Sequence, residues 1–417
     1  MSTYNTFADI TAHLDRLGLF HMDLGLERMR GFARRFFLAA GAPGPVAHVV
    51  GTNGKGSTAA FLESMARAHG LRTGLHTSPH FTSVRERIRV GGEMLAEGEW
   101  VHLANRLDAL AGDLGLTYFE WLTCLSALAF DEARAELAVM EAGLGGRFDA
   151  TRVFDPAITL LTPVDLDHVH VLGSTLEEIA DDKSRAIRPG GVAVTAAQEP
   201  EVMAVYERRA AEVGARLVVA GKAAASLALG LQGPHQRANA GLALAAWELL
   251  APMLGVESRP EAVACGLASA WLPGRFQVLE GCREVGESLS TVILDGAHNV
   301  HGLRGLGAAL ADAGLRPEAV VFACMADKDA HGMAREVLAL AEGPVLLPAF
   351  EINGRALPAR DLESVFSGRG RPEPSLASAL AALCGARSVM VCGSLYLLAE
   401  FYKLHPRFLN PQTRKDA

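Results

Sequence analysis

The stretch GTNGKGS, Gly51 to Ser57, stands between a short apolar run and a helix-like segment. Glycines in a strand-to-helix turn let the backbone approach an anion, and N–H groups at the helix start point at it. Lys55 can place a point charge on terminal phosphates, and Ser57 can offer a hydroxyl to Mg²⁺, which prefers oxygen ligands. The spacing departs from the common G-x-x-x-x-G-K-[ST] pattern. Only Thr52 and Asn53 separate Gly51 from Gly54, and Gly56 stands between Lys55 and Ser57. The loop signals nucleotide handling; what the nucleotide is used for must come from other strand ends.

Glu141 closes a second apolar run and is followed by GLGGRFDATR, Gly143 to Arg152. An acidic residue there suits a metal opposite a phosphate loop, since a buried carboxylate is costly unless a cation pairs with it. A third run leads into TPVDLDHVHVLG, where His168 and His170 stand two apart with Asp165 and Asp167 beside them. One of the two histidines is expected at the metal, and residue type does not choose between them. In STLEEIADDKSRAIRPGG, Thr175 and Glu178 match a capping box and Pro189-Gly190 stops the helix. By its chemistry alone, Lys183 in that helix reads as solvated. HQRAN, LPGRF and VILDGAHN are polar islands in apolar surroundings, with Arg275 suited to phosphate and Asp295 to a ribose hydroxyl.

These groups need strands to carry them. Strands are expected at Ala47–Val50, Thr73–His76, Ala138–Glu141, Ala157–Leu161, Val192–Thr195 and Arg216–Val219, then at Thr291–Leu294, Ala319–Cys324, Pro344–Leu347 and Ser388–Cys392. Helix-like segments such as Ser57–His69, Glu120–Arg134 and Leu176–Ile187 alternate with them. This alternation predicts parallel sheets covered on both faces, with ligands beyond the carboxyl ends of the strands. The rhythm breaks between Trp271 and Ser290, which places a domain boundary near Gln277: 1–276 with the phosphate loop, 277–417 as a smaller open sheet. A chain of 417 residues is long enough for two cores.

The bulk numbers exclude other classes. A formal charge of −8 argues against nucleic-acid binding. Cys124, Cys265, Cys282, Cys324, Cys384 and Cys392 show no metal-ligand spacing and are expected to be reduced core residues. MSTYNTFADI lacks the pattern of a secretory signal, and no apolar stretch nears the roughly 20 residues of a membrane span. A cytoplasmic protein is expected. A monomer is expected too, since no long apolar helix face lacks an obvious core.

Taken together, DLGLER (Asp23–Arg28), GTNGKGS, TSPHF (Thr77–Phe81), ERIRV, LTYFE (Leu116–Glu120), EAGLGGRFDAT, LDHVHVLG, LPGRF, LDGAHN, MADKD (Met325–Asp329) and CGSLY (Cys392–Tyr396) resemble the folylpolyglutamate synthase and dihydrofolate synthase family of the Mur-ligase superfamily. They run in family order along nearly the whole chain. The resemblance implies an α/β fold: an N-terminal Mur-ligase-type P-loop ATPase domain with a parallel-rich sheet, and a smaller C-terminal Rossmann-like domain on the glutamate-binding side. It implies ATP, cradled by Thr52, Asn53, Gly54, Lys55, Gly56 and Ser57 and contacted by Asn239, Arg275, Asp295 and His298. It implies Mg²⁺ held by Ser57, Ser78, Glu141 and His168, which selects His168 over His170. Lys183 falls where the family carries a carbamylated lysine, and joins Lys55, Glu141 and His168 as the catalytic set. The pterin is implied near Asp23, Leu24, Thr117, Tyr118, Phe119, Glu120, Phe148, Asp149 and Ala150.

The implied substrates are dihydropteroate, tetrahydrofolate or its polyglutamates, and L-glutamate, with neither nucleic acid nor membrane as partner. DLGLER and LTYFE resemble the bifunctional bacterial enzymes, so both ligations are expected, each through an acyl phosphate. Three positions depart from the family: Arg152 where Asn is usual, Ser184-Arg185 where Ala-Gly is usual, and Val300 where Pro is usual. Arg185 is close enough in sequence to compete for or pair with a carbamate on Lys183. The alternatives are a Mur-type ligase acting on a UDP-sugar, which would not need LTYFE or DLGLER, and a P-loop ATPase or switch without ligase chemistry, which would not need the second sheet.

Overall fold

The computed structural model describes residues 3–19, 23–40, 44–350, 352, 354–383 and 385–409. Cys384 and the tail NPQTRKDA, expected to be frayed, lie outside them. The chain forms two units: Met1–Pro79, Arg85–Ala228 and Ala238–Ala270 in the first; His80–Val84, Leu229–Arg237 and Trp271–Ala417 in the second.

Short aliphatic runs make the strands of the first unit. They are β1 (Val46–Val50), β2 (Thr73–His76), β3 (Ile88–Val90), β4 (Glu93–Met94), β5 (Leu137–Glu141), β6 (Ile158–Leu161), β7 (Val192–Thr195) and β8 (Arg216–Val219). They form one sheet in the order β4-β3-β2-β5-β1-β6-β7-β8. From β2 through β8 in that order the pairing is parallel, while β3 and β4 add an antiparallel edge. That edge was absent from the sequence expectation, because strands of three and two residues are too short to show alternation. β1, β5 and β6 are buried along their whole length, as parallel strands covered on both faces must be.

The helix Lys55–Ala68 leaves directly from the loop after β1. An apolar stripe through Leu62, Met65 and Ala66 predicts one buried face; instead every residue from Gly56 to Ala66 is buried. The helix Pro260–Ser269 packs on the side that a surface helix would show to water. Phe61, Leu62 and Met65 are fully buried, each worth about 1.5–3 kcal/mol relative to exposure. The phosphate loop therefore rests on a helix packed on all sides.

The second unit builds β9 (Gln277–Glu280), β10 (Thr291–Leu294), β11 (Ala319–Phe322), β12 (Val345–Pro348), β13 (Gly370–Glu373) and β14 (Ser388–Cys392) into the order β13-β12-β11-β14-β10-β9. Only β9 runs antiparallel to its neighbour. β9 lies in the stretch where the sequence rhythm breaks. β13 reads GRPE, and a glycine and a proline are tolerated there because it is an edge strand. Apolar clusters cover both faces of this sheet, and the free thiols of Cys282, Cys324 and Cys392 are buried in them. Cys124 is buried and free as well, whereas Cys265 is exposed. Among the described residues, no helix is long and apolar enough to cross a membrane.

Candidate active site

Four adjacent strands, β2-β5-β1-β6, send their carboxyl ends to one edge of the first sheet. Ser78 follows β2, Glu141 ends β5, Gly51–Ser57 follows β1, and His168 lies in the loop after β6. Register fixes their level: Glu141 pairs with Val49, and Leu161 with Val50. The Glu141 side chain is buried, with the residue 4% exposed, and its Oε2 accepts from the Ser78 N–H at 2.9 Å. Ser57 is 2% exposed in the first turn of its helix. His168 adopts a left-handed backbone, φ 51°, and its N–H donates to Asp167 Oδ1 at 2.8 Å. His168 and His170 are both exposed, so burial does not separate them. One buried carboxylate, two hydroxyls and an imidazole make an oxygen-rich donor set of the kind that fits a hard divalent cation together with phosphate oxygens. Among the described residues no three His, Cys, Asp or Glu side chains converge on one point, so an all-protein cage is not what the edge offers.

The loop itself is anchored from below. The N–H groups of Thr52 and Asn53 both donate to the Pro163 carbonyl, at 3.0 and 3.3 Å. The Thr52 hydroxyl donates to the Asp165 carbonyl at 3.2 Å and accepts from the Asp165 N–H at 3.1 Å. Those two amides are thus turned away from any ligand. The next donors are Lys55 and Gly56, whose N–H groups have no acceptor inside the helix they begin. Gly54 holds φ 89°, and a Cβ on it would collide with Asn239 Oδ1, so the glycine lets Asn239 lie against the loop.

Two lysines meet on one carbonyl. Lys55 Nζ donates to the Gly51 and Thr52 carbonyls, each at 3.2 Å, and Lys183 Nζ donates to Gly51 O at 2.9 Å. Lys183 is not the solvated lysine its helix suggests: it is 3% exposed. Burial, then repulsion from Lys55, pushes its pKa down to about 7, against the pull of Asp182, Asp167 and Asp149. At neutral pH a substantial share of its amine, about half, is neutral and nucleophilic.

The loop after β5 is held by carboxylates. Asp149 is buried; its Oδ2 accepts from the N–H groups of Gly143 and Leu144, at 2.8 and 3.0 Å. Its Oδ1 accepts from the Thr151 N–H at 3.0 Å and the Thr151 hydroxyl at 2.5 Å. That hydroxyl has spent its proton, so His48 Nε2, 2.6 Å away, must be the protonated ring nitrogen. His48 Nδ1 is left buried without a partner, and burial lowers the His48 pKa to about 4, with Asp149 opposing and Arg152 assisting. Asp182 Oδ1 accepts from the N–H groups of Gly146 and Arg147, at 2.9 and 3.4 Å. A Cβ on Gly146 would stand 2.7 Å from Lys183 O, so glycine lets the Lys183 helix abut this loop. Arg185 does not face a modified Lys183 with a spare charge: it is paired with Asp181 at 2.9 Å, which also holds Arg147 at 2.7 Å.

Of the residues expected around a pterin, several form a connected wall. Arg28 joins Asp23, at 2.6 Å, to Glu120, at 2.8 Å. Glu120 also accepts from the Thr117 N–H at 2.8 Å, closing the capping box of the helix Tyr118–Glu132. Phe119 lies across the glycine-rich loop, its ring 2.6 Å from where a Cβ on Gly143 would be, and edge-on to His76 at 5.6 Å. Tyr118 is buried beneath the Arg87 guanidinium, 5.5 Å from its ring centre. Leu24 and Phe148, 59% and 46% exposed, are large apolar side chains left open beside this wall. Asp149, Glu120 and Ala150 point inward; the first two shape the wall through the bonds described above.

Arg275, Asp295 and His298 form a group within the second unit. Asp295 Oδ2 accepts from the Phe276 N–H at 2.7 Å and Oδ1 from the Ala297 N–H at 2.8 Å. Burial raises its pKa, with His235 and Arg275 opposing. Arg275 donates to the Gly274 carbonyl at 3.1 Å, and His298 Nδ1 lies 2.8 Å from Gly296 O.

Residues 49–237 match the family model described as the Mur ligase middle domain, and residues 274–395 the Mur ligase, glutamate ligase domain. The dihydrofolate synthase/folylpolyglutamate synthase of Escherichia coli is 34% identical over 414 residues, covering 93% of each chain. The chain belongs to the dihydrofolate synthase/folylpolyglutamate synthase family. A probable bifunctional folylpolyglutamate synthase/dihydropteroate synthase of Halobacterium salinarum is 34% identical over 84% of this chain, which spans only 46% of that longer protein. The Yersinia pestis member of the family, solved with AMPPNP and Mn ion, superposes with a TM-score of 0.84 at 31% identity, covering 97% of this chain and 99% of that one.

Sequence reasoning about this family member missed His48, His76 and Asp182. A histidine inside AHVV was a signal for His48, because a polar ring in an otherwise apolar strand needs a partner. Asp182 carried none: the loop it grips lies more than thirty residues away in the chain.

Proposed function

We propose that this chain is an ATP-dependent acid–amino-acid ligase that joins L-glutamate to dihydropteroate, giving dihydrofolate, and to tetrahydrofolate and its polyglutamates. The observation that carries the proposal is the shared strand edge, where a phosphate loop, a buried Glu141 and a buried lysine of pKa about 7 stand together. Residues 1–276 carry the nucleotide and pterin, and 277–417 the glutamate side. The protein works in the cytoplasm as a monomer.

ATP is the nucleotide. The Gly54–Ser57 turn receives its phosphates, Lys55 leaves its two carbonyls to meet them, and Asn239 borders the loop; Arg275, Asp295 and His298 are the further ATP contacts. Ser57, Ser78, Glu141 and His168 would hold Mg²⁺, which when bound neutralises charge on the transferred phosphoryl group. Leu24 and Phe148 cover the pterin ring, and Asp23, Thr117, Tyr118, Phe119 and Ala150 complete its wall. The substrate carboxylate attacks the γ-phosphorus, ADP leaves, and an acyl phosphate results. The glutamate amine then attacks the acyl carbon, phosphate departs, the amine proton is lost, and an amide remains. The residues position the reactants and balance charge.

Lys183 is carbamylated: its neutral amine attacks CO₂, loses a proton and becomes an anion. An anion at that place turns the Lys55–Lys183 repulsion into an attraction. The test of the ligase is ADP release with Mg-ATP and L-glutamate, supplied with 7,8-dihydropteroate or tetrahydrofolate. Glutamate-dependent release with both is expected; release with neither would overturn the reading.

A further inference from the structure

At the other end of the first sheet lies a cavity of about 460 Å³, within the range of small-molecule sites. Its walls come from the helix Glu27–Ala40, the turn Ala150–Phe154 with the two residues after it, and the Ala186–Pro189 segment. Asp155 and Pro156 immediately precede β6, and Arg188 and Pro189 precede β7, so the cavity sits at the amino ends of those strands. The loops that carry Glu141, Ser57 and His168 leave from the carboxyl ends. None of the residues assigned to ATP, metal or pterin lines it.

Arg30, Arg34, Arg152 and Arg188 line this cavity against a single carboxylate, Asp155. Arg188 takes that carboxylate at 2.6 Å. Arg30 has only the exposed Glu27, at 3.8 Å, a contact that screening makes weak. Among the described residues Arg34 has no ion pair, and Arg152 donates to a neutral carbonyl, Arg147 O, at 2.9 Å. Burial and repulsion from Arg209, Arg30 and Arg185 lower the Arg152 pKa, so cations crowd here beyond what the acids offset. Phe37 and Ile187 give the cavity an apolar floor.

We infer that this cavity is a second ligand site, separate from the ligase centre, which takes an anion of two or more negative charges held by the arginine forks of Arg34 and Arg152. Guanidinium groups engage carboxylate and phosphate alike through paired N–H donors, so a phosphate ester and a polycarboxylate share this chemistry. Arg152 also holds the carbonyl of Arg147 in the glycine-rich loop, so one side chain touches both the cavity and that loop.

The test uses the full chain with inorganic phosphate and, separately, tricarballylate, in metal-free buffer at matched ionic strength, read by calorimetry. Lys55→Ala removes binding at the phosphate loop. In that background, binding of at least one probe at millimolar concentration or below is expected, weakened about tenfold or more by Arg34→Gln, an exposed change that leaves the fold intact. Arg152→Lys, which keeps the charge but loses the fork, weakens it less than Arg152→Gln. Preference for phosphate names a phosphate ester as the ligand; preference for tricarballylate names a polycarboxylate. No binding of either probe, or binding indifferent to Arg34→Gln and Arg152→Gln, overturns the inference.

Discussion

Gly51–Ser57 and Gly143–Phe148 are both glycine-rich loops that leave the carboxyl ends of neighbouring parallel strands, β1 and β5. In the first, cations bind the carbonyls: Lys55 and Lys183 converge on Gly51 O, and the helix that follows begins with Lys55 and Gly56 N–H groups that have no acceptor inside it. In the second, carboxylates bind the amides: Asp149 takes those of Gly143 and Leu144, and Asp182 those of Gly146 and Arg147. A run of backbone N–H groups is an anion receptor only while no internal anion fills it. The first loop stays receptive; the second is filled from within and becomes a rigid platform. Glycine content alone does not distinguish them. The charges that touch their backbones do.

Lys55→Ala should break the receptive loop most severely. Glutamate-dependent ADP release should fall by on the order of 10²–10³-fold, the usual loss for a group that stabilises charge in transfer. Asp149→Asn should break the platform. Its amide keeps only one acceptor oxygen, so its NH2 must face either the N–H groups of Gly143 and Leu144 or that of Thr151, costing about 3 kcal/mol of stability, read as a lowered thermal midpoint. Turnover with either pterin substrate should fall about tenfold or more, while nucleotide affinity changes little.

Lys183 sharpens the contrast, because it touches both loops through Gly51 O and the Gly146 contact. Its neutral form is needed to capture CO₂ and is gained as pH rises through about 7. A carbamate signal from ¹³C-bicarbonate should therefore grow over that window and be absent in Lys183→Arg; no signal at any pH would refute the modification. The smallest effect concerns acid stability. His48 and His76 are held neutral by burial, with pKa lowered to about 4 and about 3 from 6.5. The unfolded chain binds protons first, so stability is complete above 6.5 and is lost as pH falls toward those values. Acid unfolding followed by circular dichroism should begin below 6.5 and be shifted lower by His48→Gln; an unchanged profile would remove His48 from the account.

Much of the frame was readable in the chain. The ten aliphatic runs that predict strands all carry strands, since a parallel strand covered on both faces needs an unbroken apolar run. β3, β4, β9 and β13 were not: β3 and β4 are too short, β9 lies where the rhythm breaks, and β13 is too rich in glycine and proline to carry the pattern. The loop residues Gly51–Ser57 were readable by type, but the direction of their N–H groups was not: Pro163, which takes two of them, is more than a hundred positions away. Lys183 misled for the same reason, because a helix lysine is ordinarily solvated and only tertiary packing buries this one. Asp149 reads as a ligand-facing acid beside a glycine loop, yet its oxygens are spent on that loop.

The central claim is that one loop binds the nucleotide and the other only shapes the wall beside it. AMPPNP titrated calorimetrically, with Mg²⁺, into Lys55→Ala and Asp149→Asn tests it directly. Loss of binding in Lys55→Ala with near-normal affinity in Asp149→Asn is the predicted result. Normal affinity in Lys55→Ala, with loss in Asp149→Asn, would contradict the account.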